Sequence, residues 1–275
     1  MASPLMKLRT FEWMVVVYFG YLATAALAVP LPVERKRHVV LTAVLVVTFV
    51  FGLARLEDLR STFVLRDWMC LAYLLAGYWL PAVFVKTPNQ PLERALLTLD
   101  HRWFGPEGLQ TFAVRAPRML IELFEVAYLF CYPLVPAGFM CLYVAGPPAE
   151  IDRFWTAVLL ASLPCYGLLP WLPTRPPRAL EQPVVRPRSR VRLLNLRVLG
   201  RASIHLNTFP SAHAAASVAT ALAVGVSVPS AGLVLGLIAL AISVGSVVGR
   251  YHYAADALSG TALGVAGFMV SRLVA

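Results

Sequence analysis

The chain has 275 residues, of which 59% are apolar or aromatic and only 14% charged, and its mean hydropathy is +0.71. So few charges cannot cover the surface of a water-soluble monomer, and they cluster between apolar runs about as long as a bilayer is thick. A net charge of +10 would suggest nucleic-acid binding in a soluble protein. Here most Lys and Arg residues fall in connections on one membrane face, where lipid phosphates are the nearest partners and the same residues act as topology signals. The expectation is an all-α, polytopic membrane helix bundle with no nucleic-acid partner.

In chain order, apolar runs near residues 13–30, 39–54, 69–85, 119–146, 154–173, 211–229, 231–249 and 254–274 predict about eight transmembrane helices. The second and sixth are short for a span and must extend into their flanks or thin the bilayer. The first run ends in Ala25, Ala26, Leu27 and Ala28, as a cleaved signal would. Glu12 at its start and Trp13, Tyr18 and Tyr21 within it fit a retained anchor better. Residues 1–60 read as a two-helix membrane extension and 61–275 as a six-helix core.

Residues 86–118 carry Pro88, Pro91, Asp100, His101, Trp103, Gly105 and Pro106, the composition of a partly helical interfacial segment. Glu122 and Glu125 follow in the first turns of the fourth helix, where carboxylates must face the bundle interior or water. Cys70, Cys131, Cys141 and Cys165 lie in or beside apolar runs without a C-x-x-C pair, so neither a disulfide framework nor a zinc site is expected. Gly232 and Gly236, Gly245 and Gly249, and Gly260 and Gly264 recur at the spacing of close helix contacts.

If the helix count holds, three polar stretches share one membrane face: Pro173 to Ala179, Phe209 to His213, and Gly249 to Asp256. His252 and Asp256 are four apart, one turn on a helix starting near Tyr251, so the carboxylate can orient the imidazole and leave its other nitrogen free as a nucleophile. Pro210 suits a first helical position with Thr208 or Phe209 as cap. Ser211 and the free N–H groups of that turn then point at an anion, and His213 stands where it can protonate a leaving oxygen. Arg175, Arg178 and Arg250 offer planar forks for phosphate. Arg186, Arg188, Arg190 and Arg192 alternate with other residues, which predicts an extended basic edge. His38, His101 and His205 have no partner at informative spacing.

Together these stretches resemble the type 2 phosphatidic acid phosphatase family, with its Arg-Pro element, Pro-Ser-x-His element and late His-x-x-x-Asp element in a six-helix bundle. Phe209-Pro-Ser-Ala-His213 and Arg250-Tyr-His-Tyr-Ala-Ala-Asp256-Ala-Leu-Ser-Gly260 look closest to the subgroup containing inositol phosphorylceramide synthases. The resemblance implies that His252 attacks phosphorus to give a phosphohistidine, that Asp256 supports it, and that His213 protonates the leaving alkoxide. It also implies that Arg178, Ser211, Arg250 and Arg175 bind phosphate, with no metal or other cofactor required. The chain departs from the commoner pattern at Leu168 (lysine), Ala212 (glycine) and Ser246 (arginine).

The function expected is a membrane phosphatase acting on a lipid phosphomonoester or diphosphate. The alternative is a phosphotransferase moving a phospho-head group to a lipid alcohol such as a ceramide. A non-catalytic lipid-phosphate binder is the third reading. The partners expected are a phosphorylated lipid substrate and membrane lipids; a homo-oligomer formed through the glycine pairs stays open but unsupported. The setting expected is a bacterial inner membrane. The positive-inside rule places the site on the cytoplasmic face, whereas the family's bacterial members commonly work on the outer one.

Overall fold

A computed structural model describes residues 8–56, 60–85, 87–181 and 189–275. Among these residues the chain forms twelve α-helices and no β-strand, apart from an isolated bridge between Thr174 and Asn207. The helices are α1 (Thr10–Ala28), α2 (Val33–Arg55), α3 (Arg60–Trp79), α4 (Gln90–Phe104), α5 (Gly108–Arg115), α6 (Arg118–Leu129), α7 (Leu134–Ala145), α8 (Glu150–Gly167), α9 (Arg190–Ala202), α10 (Ala212–Ser227), α11 (Pro229–Val248) and α12 (Ala254–Val274).

Side-chain and backbone contacts fix the directions of five helices. At one end, Arg66 on α3 binds Glu12 on α1, Asp152 on α8 accepts the N–H groups of Thr10 and Phe11, and Arg153 donates to the carbonyl of Ala275. At the other end, Tyr78 near the end of α3 accepts the N–H of Ile204, and the N–H of Ser211 reaches the carbonyl of Asp256. Helices α1, α3 and α8 therefore start at the first end, and α10 and α12 start at the second and run the opposite way.

Helices α1, α2, α11, α12 and the segment Thr62–Phe84 are each long and apolar enough to cross a membrane, and α6 with α7 makes a sixth candidate if the pair is one span. This is a multi-pass membrane protein. The two remaining runs pass through the centre of the bundle. Helix α8 carries Glu150, Asp152 and Arg153 in its first turns, and α10 has only 16 residues. The short second run does lengthen, to 23 residues, by taking in the charged joint before it.

The fourth run departs from the single helix expected. Helices α6 and α7 meet at 66°, with the break at residues 130–133, where Pro133 has no N–H for a continuing ladder. Cys131 therefore sits in a turn and Cys141 in α7, both as free thiols. Phe11, Val15, Phe19 and Leu22 of α1 are buried in the same cluster as Phe154, Trp155 and Val158 of α8.

Helix α10 owes its central place to small side chains. Ala214, Ala215, Ala219 and Ala223 are buried along it, which lets its neighbours approach closely. On α12, a Cβ added at Gly260 would collide with the carbonyl of Ser211, and one at Gly264 would lie 2.6 Å from that of Ala215. Gly245 likewise admits the backbone of Phe124, whereas Gly236 faces open space.

Candidate active site

The start of α10, the start of α12 and the loop after α8 converge at one end of the bundle. The backbone joins them directly, through Ser211 N–H to Asp256 O and Arg178 N–H to Arg250 O. Ser211, rather than Thr208 or Phe209, caps α10, its hydroxyl oxygen accepting the N–H of Ala214 at 3.3 Å. Pro210 stays outside the helix, behind a cis peptide bond to Phe209. Helix α12 starts at Ala254, later than expected, so His252 precedes it. The histidine meets Asp256 because that residue occupies the third position of the helix and reaches back, also accepting the N–H of Tyr253.

His252 is buried. Its Nδ1 lies 3.1 Å from the carbonyl oxygen of Thr208 and 3.2 Å from Asp256 Oδ2. Both neighbours accept hydrogen bonds, so the proton belongs on Nδ1 and the lone pair on Nε2. Burial, and then the nearby Arg178 guanidinium, push the imidazole's pKa down from its ordinary 6.5 to about 3, against the opposing pull of the Thr208 carbonyl. The ring is thus neutral at pH 7. Its centroid lies 5.9 Å from that of His213, with the rings nearly perpendicular at 83°. Tyr128 and Tyr132 flank His213 edge-on at 5.9 and 5.8 Å.

Both histidines border a cavity of about 390 Å³ between α3, α6, α7, α9 and α10. Leu71, Leu74, Leu75, Val135 and Pro136 form its apolar side, and Tyr78, Tyr128, Tyr132, Tyr166 and Tyr251 its aromatic wall. Arg178 is the only Lys or Arg among the described residues lining it, and no carboxylate does. Its guanidinium lies 5.0 Å from the Tyr251 ring centroid, and burial lowers its pKa.

The other expected phosphate ligands are placed differently. Arg175 is held by Glu93 through Nε at 3.0 Å and Nη2 at 2.7 Å. Arg250, at φ 61°, is buried and donates to Asp100 at 2.6 Å and twice to Glu181. Asp100 also accepts the N–H of Ala254 and so fixes the start of α12. Ser211 is buried with its hydroxyl engaged as the cap. The structure therefore brings His213, His252, Asp256 and Arg178 together and commits Arg175 and Arg250 to carboxylates.

The expected basic edge divides. Arg186 and Arg188 lie outside the described residues, and Arg190 and Arg192 open a helix instead of an extended segment. Ser189 caps that helix and donates its hydroxyl to Glu122, while Arg192 binds Glu125 at 2.7 Å. His205 borders the cavity and His101 lies 3.8 Å from Glu181.

A bundle of apolar helices that closes over two facing imidazoles and one unneutralised guanidinium has the makings of a membrane phosphatase. A family model described as the PAP2 superfamily matches residues 94–270, and the chain belongs to that superfamily, which supports a phosphatase-type function. No curated protein and no solved structure matches the chain.

Proposed function

We propose that this protein is an integral-membrane lipid phosphatase that works through a phosphohistidine. Nε2 of His252 attacks phosphorus as the bond from phosphorus to the lipid alkoxide oxygen breaks. His213 gives that oxygen its proton. Asp256 and the Thr208 carbonyl hold the Nδ1 proton and stabilise the charge that the ring acquires. Arg178 takes the equatorial oxygens as charge shifts in the transition state. Water, deprotonated by His213, then cleaves the phosphorus–nitrogen bond. The observation that carries this reading is the 5.9 Å separation of the two imidazoles at one cavity.

A second reading, transfer of a phospho-head group to a lipid alcohol, draws support from the charge balance. His213 and Asp256 together add no net charge, whether as an imidazolium–carboxylate pair or as a neutral pair, so Arg178 leaves the site one positive charge in excess. That excess balances a phosphodiester monoanion better than a phosphomonoester dianion.

The test supplies radiolabelled lipid phosphomonoester, or lipid phosphodiester, to the purified protein in bilayer discs with and without a ceramide. The expected result is vanadate-sensitive release of free phosphate from the monoester, lost in His252→Ala and His213→Ala. Labelled product appearing only from the diester, and only with the acceptor, establishes the second reading. Binding without turnover of any substrate overturns both.

A further inference from the structure

An arginine offers most charge to phosphoryl oxygens when nothing neutralises it, and carboxylates hold three arginines near the cavity. Arg175 has Glu93, Arg192 has Glu125, and Arg250 has Asp100 and Glu181. Arg178 has no carboxylate partner among the described residues and lies over the ring of Tyr251 at 5.0 Å, a ring that Arg192 also approaches, at 5.5 Å. That ring is itself held firmly. It stacks on Tyr128 with centroids 4.1 Å apart and planes 4° from parallel, and its hydroxyl donates to Glu125 at 2.5 Å. Glu125 is buried and also takes bonds from Arg192 at 2.7 Å and from Asn195 Nδ2 at 2.9 Å, both on α9.

We propose that Tyr251 and Glu125 are positioning residues for Arg178. The aromatic face attracts the guanidinium without cancelling its charge. Glu125 fixes that face through the phenol, and its other oxygen is occupied by α9, which keeps this carboxylate one ring away from the cation. The arrangement locates Arg178 without the neutralisation that a carboxylate partner would bring. This inference rests on the proposed reading in which Arg178 binds the phosphoryl group.

The experiment is a double-mutant cycle on the full-length protein in bilayer discs, reading kcat and KM separately. Arg178→Met lowers kcat/KM by about a hundredfold or more, as expected for loss of a transition-state charge contact. Tyr251→Leu lowers it by about thirtyfold, the scale of a desolvated cation–π contact. The double variant is no worse than Arg178→Met alone, because Tyr251 acts through the residue already removed. Tyr251→Phe keeps the ring, frees it from Glu125 and loses about threefold. Its loss also vanishes in the Arg178→Met background, which provides the test if the leucine variant does not fold. Losses that multiply in either cycle overturn the inference while leaving the role of Arg178 intact. Full activity in Arg178→Met overturns the inference together with the phosphate-binding role on which it rests.

Discussion

Gly260 on α12 lies against the carbonyl of Ser211, the residue that caps α10. This contact joins the two helix starts that carry His213 and Asp256, and through Asp256 it sets the position of His252. A side chain at 260 has nowhere to go, because the obstacle is backbone. Gly260→Val is therefore expected to abolish turnover while the protein remains helical, with α12 displaced by the added volume. Gly236→Ala, on the open face of α11, leaves turnover unchanged and stabilises α11 by about 0.5–1 kcal/mol through helix propensity. Activity and thermal unfolding of the two purified variants check both halves.

How far the sequence revealed this site depends on the range of the contacts involved. The long apolar runs declare their helices because burial in lipid and in the core both demand continuous apolarity. The break in the fourth run was hidden because Phe130, Cys131 and Tyr132 keep the segment apolar through the turn, leaving Pro133 and Pro136 as the only local signals. The four-residue spacing of His252 and Asp256 leads to a contact that the structure contains, formed by a first-turn residue reaching back beyond its cap and not along one face of a helix. Arg178 and Arg250 could not be told apart in sequence. Asp100, which neutralises Arg250, is 150 residues away from it, and no local spacing encodes that contact. Tyr251 had one available signal, its place directly before His252.

The protonation of His252 gives a pH prediction. Its pKa in the folded protein is about 3, set first by burial and then by Arg178. A nitrogen-15 titration of the imidazole in the substrate-free protein should show a neutral ring from pH 8 down to about 5, with the proton on Nδ1. Arg178→Gln removes one of the two effects that depress the pKa, so the titration moves upward. The unfolded chain binds the proton near 6.5 and the folded one does not, so stability is unaffected above that pH and falls as pH descends from 6.5 towards 3. A ring that titrates near 6.5 in the folded protein contradicts the assignment.

Asp256 offers a test that separates orientation from folding. Asp256→Asn keeps an oxygen for the N–H of Tyr253, so α12 should still start where it does. Oδ2 of Asp256 meets both the Tyr253 N–H and Nδ1 of His252, so an amide oxygen in its place keeps both contacts but no longer supplies the negative charge that supports His252 as it becomes cationic. Turnover is expected to fall by about a hundredfold to ten-thousandfold with little change in KM, by analogy with the loss of the orienting carboxylate in a catalytic triad. An unchanged kcat in the folded variant removes Asp256 from the mechanism.

The two arginines that flank the site in sequence should fail in opposite ways. Arg250 is buried between Asp100 and Glu181, and Asp100 is buried with it. Arg250→Gln leaves two carboxylates without their cation and frees the start of α12 from its anchor. The cost, about 3–5 kcal/mol for breaking a buried pair, appears as a lower unfolding temperature and reduced yield. Arg178 has no carboxylate partner among the described residues, and it lines the cavity with its guanidinium over the Tyr251 ring. Arg178→Gln therefore leaves the unfolding temperature near that of the parent protein, or raises it by relieving a buried charge, while turnover drops by at least tenfold. Measuring unfolding and kcat/KM on both variants under the same conditions decides the matter. If Arg250→Gln is stable but inactive and Arg178→Gln unstable but active, the phosphate-binding role belongs to Arg250 instead.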